Sequence, residues 1–304
     1  MSTEWTAISD ALVDATEKTA RLAVAVHTGA RGSTSGVIWR PGLIVATEHA
    51  VRREEEIPVT LPDGQLASAK VAGRDASTDI ALLKCDLATA PAATAAHEES
   101  LKAGQLALVV GRTRASGPVA AWGMISLVAG ERRLWGGATI SPYVRLDVTL
   151  PGIAIGGAVV NANGEIIGIA TPKFAPASAL AVTTSTVNRV VDALLSKGRI
   201  PRGYLGVGMQ PVRLPDRLLG SLQRQEKTAA MVLEVQPNGP ADKAGVVIGD
   251  ILIGVNGKTV MRLEDVQAHL HGEQIGKIIL AEFLRGGVKR AAEIVVAERP
   301  NGSE

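Results

Sequence analysis

Three stretches of this chain carry residue types that can do chemistry. One is Thr47-Glu48-His49-Ala50-Val51, directly after the apolar run Leu43–Ala46. The second is Ser77-Thr78-Asp79-Ile80-Ala81-Leu82-Leu83, and the third runs from Asp147 through Gly156-Gly157 to Asn161. A hydroxyl is a weak nucleophile until an imidazole takes its proton, and a buried carboxylate can hold that imidazole in the useful tautomer. A single histidine beside a strand is more often a surface or core residue, so His49 gains interest only in company with Asp79. His27, His97, His269 and His271 have no ligand spacing to Cys, Asp or Glu, so neither a metal nor a cofactor is expected.

The elements that must position these residues are mostly short strands. The 304 residues suggest about two domains. With 46% apolar and 20% charged residues, each domain can bury an ordinary core. The net charge of +2 gives no reason to expect nucleic acid or an acidic membrane as partner. Cys85 is the only cysteine, so no disulfide forms within the chain. No run of about 18 apolar residues predicts a membrane span. Residues 1–6 lack the basic and apolar regions of a signal peptide. The expectation is therefore a cytoplasmic protein, or a periplasmic one if a leader has been removed.

A helix is predicted over residues 8–18, with Ser2 or Thr3 as cap. Six short apolar runs between residues 20 and 86 predict one barrel, and six more between 104 and 184 a second. Pro62-Asp63-Gly64 and Asn161-Ala162-Asn163-Gly164 read as turns. Val187, Val190, Val191, Leu194 and Leu195 then follow helical spacing over residues 185–198, with Ser185 or Thr186 as start and Gly198 as stop. A second domain is predicted over residues 203–298, with four strands and a helix near Leu263–Leu270.

In order and spacing, the three segments resemble the HtrA family of chymotrypsin-like serine proteases, from about residue 20 to 298. The family has its His in T-x-x-H-V-V, its Asp in D-x-A-L-L and its Ser in G-N-S-G-G. The resemblance implies a mainly β fold, a trypsin-like double barrel in residues 1–200 followed by an α+β PDZ domain. It places His49 at the imidazole position and Asp79 at the carboxylate position, within hydrogen-bond reach of each other. Counting back from Gly156-Gly157, Ile155 stands where the family has its serine, Ala154 where it has asparagine and Ile153 where it has glycine. Isoleucine has no lone pair to attack with. Backbone N–H groups of that glycine and serine form the oxyanion hole, and a β-branched residue tolerates unusual backbone angles poorly. A rebuilt turn is therefore expected over Ile153, Ala154, Ile155 and Gly156. Loss of the nucleophile alone costs about 10⁶-fold in a well-studied serine protease. Ser33, Ser35, Ser126 and Ser141 read as loop serines, none in a G-x-S-G-G context.

Arg202-Gly203-Tyr204-Leu205-Gly206-Val207 resembles the carboxylate-binding loop of the family's PDZ domains. There, N–H groups hold a peptide C-terminus and the peptide adds as a strand. Gly239-Pro240-Ala241-Asp242-Lys243-Ala244-Gly245, Gly249-Asp250-Ile251-Leu252 and Val255-Asn256-Gly257 extend the match. Val266 and Leu270 would line the pocket for an apolar terminal side chain. Plain core packing is the alternative for Leu205, Val207, Val266 and Leu270. The implied partners are C-termini of peptides or unfolded chains, with a homotrimer by family habit. Three functions compete: an inactive peptide binder, a working endopeptidase with an unrecognised nucleophile, and a subunit that modulates an active relative.

Overall fold

The computed structural model describes every residue except 1–3, 30–31, 52–55, 88–93, 115–116, 134–138, 176–177, 202, 223, 268, 271–273 and 300–304. The expected roles of Ser2, Thr3, Arg202 and His271 lie outside the described residues. The chain forms two compact units, one reaching to Ile200 and the other running from Pro201.

The first unit opens with helix α1 (Glu4–Ala20). Strands β1 (Ala23–His27), β2 (Ser33–Arg40), β3 (Leu43–Thr47), β4 (Ile57–Thr60), β5 (Leu66–Asp75) and β6 (Ile80–Cys85) then close a barrel in the order β1-β2-β3-β6-β5-β4. β7 (Leu106–Thr113) and β8 (Gly117–Ala129) are followed by a small ladder of β9 (Arg132–Arg133) and β10 (Thr139–Ile140). With β11 (Tyr143–Asp147), β12 (Ala158–Val160), β13 (Ile166–Thr171) and β14 (Ala179–Thr183) they close a second barrel, β11-β14-β13-β12-β7-β8. The pairings between these strands are antiparallel, so short turns suffice as connections. Two turns behave as their residues predict. Asp63 Oδ1 accepts from Gln65 N–H before Gly64 at φ +88°, and Asn161 Oδ1 accepts from the N–H groups of Asn163 and Glu165.

The barrels meet through β1, β2 and β7. β1 and β14 have no exposed residue, because each has protein on both faces. Arg112, at the end of β7, enters the first barrel and donates from Nε to the Ala23 carbonyl and from Nη2 to the Pro62 carbonyl, each at 2.9 Å. Burial pushes its guanidinium below its ordinary pKa, and these carbonyls supply the acceptors that a buried cation requires. His27 is likewise buried. Its Nε2 lies 2.9 Å from Thr60 Oγ1, and burial, with a contribution from Arg114, pushes its pKa down.

Helix α2 (Thr184–Lys197) packs on β5, β6, β13 and β14 through Val187, Val190, Val191 and Leu194. It ends at Gly198 in the left-handed conformation, as its sequence predicts. Its start corrects the expectation. Neither Ser185 nor Thr186 caps it; instead Glu98 accepts from Ser185 N–H at 2.8 Å and Thr184 Oγ1 at 2.7 Å. A carboxylate from outside the helix thus meets the orphan donors and the positive end of the dipole.

The second unit holds β15 (Gly203–Tyr204), β16 (Val207–Arg213), α3 (Asp216–Ser221), β17 (Thr228–Val235), α4 (Pro240–Lys243), β18 (Ile251–Val255), β19 (Lys258–Thr259), α5 (Leu263–Gln267), β20 (Ile278–Arg285), β21 (Val288–Val295) and β22 (Ala297–Glu298). The sheet runs β16-β17-β18-β20-β21, β19 joins β18, and β15 pairs with β22. β16 therefore lies at an edge. Helix α5 stops at Gln267, short of the expected Leu270, although Leu270 N–H still bonds the Gln267 carbonyl. Among the described residues no helix is long and apolar enough to cross a membrane.

Asp250 is fully buried and anchors this unit. It accepts from Arg285 Nε and Nη2, each at 2.8 Å, and from Val247 N–H at 2.9 Å. Burial alone would raise its pKa. The bonds from Arg285 and Val247 outweigh it and hold the carboxyl below its ordinary value. Asp250→Asn is expected to destabilise this unit by about 2 kcal/mol at neutral pH. Because the folded pKa is depressed, the stabilisation is present above the unfolded carboxyl pKa of about 3.9 and is lost as pH falls through the folded value. Calorimetric melts from pH 7 to 3 should show the wild-type advantage shrinking below about pH 4; a constant difference would mean that the carboxylate charge is not what stabilises.

Candidate active site

The site begins with the register of two neighbouring strands. β3 pairs with β6 so that Thr47 faces Ile80, which sets Glu48 and His49 beside Asp79. Glu48 N–H donates to the Asp79 carbonyl at 3.1 Å and His49 N–H to Asp79 Oδ1 at 3.0 Å. Asp79 has φ +61°, a left-handed conformation that aspartate tolerates better than most residues. The turn before it is shaped by Asp75, whose buried carboxylate accepts from Ser77 N–H, Ser77 Oγ and Thr78 Oγ1.

The Asp79 side chain is wholly buried and its oxygens are crowded with donors. His49 Nδ1 lies 2.9 and 2.8 Å from Oδ1 and Oδ2, and Thr171 Oγ1 donates to Oδ2 at 2.5 Å. Lys173 Nζ is 3.7 Å from Oδ1, 3.3 Å from Glu48 Oε2, and donates to the Ala76 carbonyl at 3.0 Å. Thr171 closes β13, so the second barrel helps to hold an acid that belongs to the first. With Nδ1 held, Nε2 is the ring atom left for chemistry, on a side chain about one-third exposed. No bond from a described residue occupies it. The sequence reading missed Thr171, Lys173 and Glu48. Nothing local marks the first two, because their partner lies in the other barrel.

The third segment forms a tight turn. Residues Gly152–Ala154 make a single 3₁₀ turn in which Ala154 N–H donates to the Pro151 carbonyl at 2.8 Å and Ile155 N–H to the Gly152 carbonyl at 3.4 Å. Gly156 has φ +79°, and a Cβ there would sit 2.3 Å from the Ser35 carbonyl, so this glycine is dictated by conformation and by close approach. The turn is tied to β2 through its own carbonyls. Ile153 O accepts from Ser35 Oγ at 2.6 Å; Ile155 O accepts from Thr34 Oγ1 at 2.6 Å and Ser35 N–H at 2.8 Å. Ala154 is buried, Ile155 half-buried and Ile153 exposed. The Ile155 N–H is thus engaged within the turn.

Among the described residues no serine is bonded to His49. Ser33, Ser35 and Ser126 lie within strands β2 and β8, not in loops as their sequence context suggested. The Ser35 hydroxyl is fully used, accepting from Arg112 N–H at 2.9 Å while donating to Ile153. Ser126 Oγ donates to the Arg145 carbonyl at 3.1 Å.

In the second unit, Leu205 and Gly206 join Tyr204, the last residue of β15, to Val207, the first of β16, with Gly206 at φ +76°. The Leu205 carbonyl accepts from Ala241 N–H and the Gly206 carbonyl from Gln236 N–H, while the N–H groups of Leu205 and Gly206 have no partner among the described residues. Val266 is fully buried in a cluster with Leu205, against which Val207 and Leu270 pack partly buried. The Leu270 carbonyl accepts from Gly203 N–H at 2.8 Å, which ties the end of the α5 segment to the loop.

Two six-stranded barrels followed by this smaller domain define a trypsin-like peptidase fold joined to a PDZ domain. Family models agree: residues 34–169 match the trypsin-like peptidase domain and residues 231–285 the PDZ domain. The chain is 30% identical over 272 residues to a probable periplasmic serine endoprotease DegP-like of Brucella suis, covering 87% of this chain and 52% of the relative. A protein of the same description from Halomonas elongata is 29% identical, with coverage of 88% and 56%. The chain thus spans about half the length of the curated relatives it matches. The serine endoprotease from Yersinia pestis superposes with TM-score 0.75 at 26% identity, over 99% of this chain and 100% of that one. The HtrA-type protease AlgW with decapeptide gives 0.76 at 24% identity over 95% and 99%, a likeness of fold. The chain is a homologue of the HtrA/DegP serine proteases. The naming of these relatives as periplasmic does not support the cytoplasmic expectation.

Asp79→Ala removes the acceptor shared by His49, Thr171 and Lys173, and leaves a non-glycine residue with no polar side chain at positive φ. Denaturant unfolding should show a loss of about 2–4 kcal/mol. A loss within about 0.5 kcal/mol would place Asp79 among ordinary surface positions and deny it the structural role its burial implies.

Proposed function

We propose that this protein is a member of the HtrA/DegP group whose peptidase domain does not cut, and which binds peptide C-termini or unfolded segments through its PDZ domain. The observation that carries this reading is the turn at 153–155. Ile155 stands at the nucleophile position with a side chain that can neither lose a proton nor attack, and its N–H is spent on Gly152. His49 and Asp79 supply a base with nothing to activate. Peptide binding is supported by the open N–H groups of Leu205 and Gly206 and the free edge of β16, onto which a ligand can add as a strand, with the partly buried Val207 and Leu270 beside it; Val266 is fully buried and packs in the core. A neighbour of the same fold is described as the HtrA-type protease AlgW with decapeptide, so a peptide ligand is in keeping with the reading. The relatives' naming favours the periplasm as the compartment, and family habit favours a trimer.

A second reading is a working endopeptidase. The His49–Asp79 geometry favours it, since Nδ1 is held as a general base requires. A fluorophosphonate probe separates the two: no labelling is expected, whereas labelling abolished by His49→Ala would establish a nucleophile elsewhere. A subunit that modulates an active relative would share the inert site but bind that relative in pull-downs lacking the PDZ domain.

The purified protein should leave unfolded casein intact. Ile155→Ser alone should restore little, because the turn also lacks the family's glycine and asparagine; Gly-Asn-Ser across 153–155 should restore more. Cleavage of casein by the unaltered protein, lost in His49→Ala, would overturn the assignment of Ile155. On the binding side, a peptide with an apolar last residue should lose at least ~1 kcal/mol of affinity when its C-terminus is amidated, the scale of a charge-assisted hydrogen bond. Equal affinity of acid and amide would leave the domain a PDZ fold that does not read a carboxylate.

A further inference from the structure

The carboxylate loop is shaped from behind. Its two carbonyls are both held by α4 and the segment that leads into it: Gln236 N–H donates to Gly206 O at 2.8 Å and Ala241 N–H, within α4, to Leu205 O at 2.9 Å. With those carbonyls drawn back, the N–H groups of Leu205 and Gly206 are left without protein partners. Gly206 is favoured here by its φ of +76°, while a Cβ would make only ordinary contact with Gln236 Cβ at 3.4 Å. The supporting segment is itself secured by Gly239 N–H to the Gln236 carbonyl at 2.9 Å. One side-chain bond joins the loop to this support: the Tyr204 hydroxyl donates to Gln236 Oε1 at 3.0 Å.

Gln236 is thereby fixed at three atoms, its backbone N–H on Gly206, its carbonyl on Gly239 and its amide oxygen on Tyr204. Tyr204 precedes the two open N–H groups and leads the chain into them from β15. We propose that Tyr204 and Gln236 act as one latch that presets the carboxylate loop, so that the tyrosine hydroxyl, which need not touch the ligand, sets how strongly the loop discriminates a free C-terminus. This rests on the peptide-binding reading above. The latch lies along a cleft of about 530 Å³ that Lys243, Glu293 and Val295 also line. Water competes for the bond there, so its effect is moderate: preorganisation saves ordering cost on binding and does not create a new contact. Tyr204 and Gln236 are positioning residues.

The test uses the full chain and a pool of fluorescein-labelled hexapeptides ending in Ala, Val, Leu, Ile or Phe, as free acids or as amides. Tyr204→Phe and Gln236→Met each delete one side of the bond while keeping the bulk. Each is expected to weaken binding of the free acids about three- to tenfold, the scale of one net hydrogen bond, and to leave the weak binding of the amides unchanged. The double variant should lose no more than either single one, because the same bond is removed. Thermal melts identify any variant whose fold is damaged; a variant that melts early and loses acid and amide binding alike counts against the latch. Retention of the full acid-over-amide preference in both single variants, or additive losses in the double one, would overturn the latch while leaving the peptide-binding reading intact. A wild-type protein that does not prefer acids would instead overturn that reading, and the latch with it.

Discussion

A buried carboxylate must be met by donors or it destabilises the protein that contains it. Asp79 is such a group, and its donors come from different parts of the first unit. His49 supplies two from the turn after β3, and Thr171 supplies one from the end of β13 in the other barrel. Meeting that demand requires the register of β3 with β6, the left-handed backbone at Asp79, the Asp75 turn before it and the closure of both barrels against each other. Arg112 makes the reciprocal crossing, a cation from the second barrel satisfied by carbonyls of the first. The cleft between the barrels is thus held by polar groups whose bonds are complete only when both barrels are in place.

The turn at 151–156 belongs to the same junction but is held differently. Its hydrogen bonds use backbone atoms alone: the carbonyls of Ile153 and Ile155 accept from β2, and Gly156 N–H donates to the Ala170 carbonyl, while Ala154 packs in the core of the second barrel. Ser35 sits at the centre of this arrangement, joining Arg112, β2 and the turn through a single hydroxyl. Gly156 is constrained in residue type by its positive φ and by the Ser35 carbonyl 2.3 Å from where a Cβ would stand, and Ala154 is constrained in size by its full burial.

Much of this was legible in the sequence. The twelve barrel strands fall close to the apolar runs because each run is short, β-branched and bounded by turn residues. Both helices of the first unit are present, though α1 begins at Glu4, ahead of its apolar stripe. What the sequence hid depends on partners distant in the chain. Glu98 caps α2 from far upstream, so a local search for a Ser or Thr cap found the wrong residue. Thr171 and Lys173 reach Asp79 only after both barrels close. Strand β16 escaped notice because it is an edge strand, half exposed throughout, with Gly208 and Pro211 interrupting any alternation. Ser35 looked like a loop serine because Gly32 and Gly36 flank it, yet it lies in a strand with its side chain buried.

These two modes of support are in keeping with the proposed loss of the nucleophile. At Asp79 the fold uses the side chain itself: removing the carboxylate orphans donors in both barrels whether or not any substrate is cut. His49 is tied to the same acid through its backbone N–H as well as its ring. At 155 the hydrogen bonds that hold the turn use only backbone atoms, its N–H and its carbonyl, which almost any residue supplies. A nucleophile's hydroxyl there does chemical work and carries none of the backbone bonds that hold the turn. Isoleucine can therefore stand at that position with both carbonyl bonds to β2 in place. An intact His–Asp pair in this architecture is accordingly weak evidence for catalysis, because the structure demands the pair on its own account; the residue that reports on activity is the one the fold does not need.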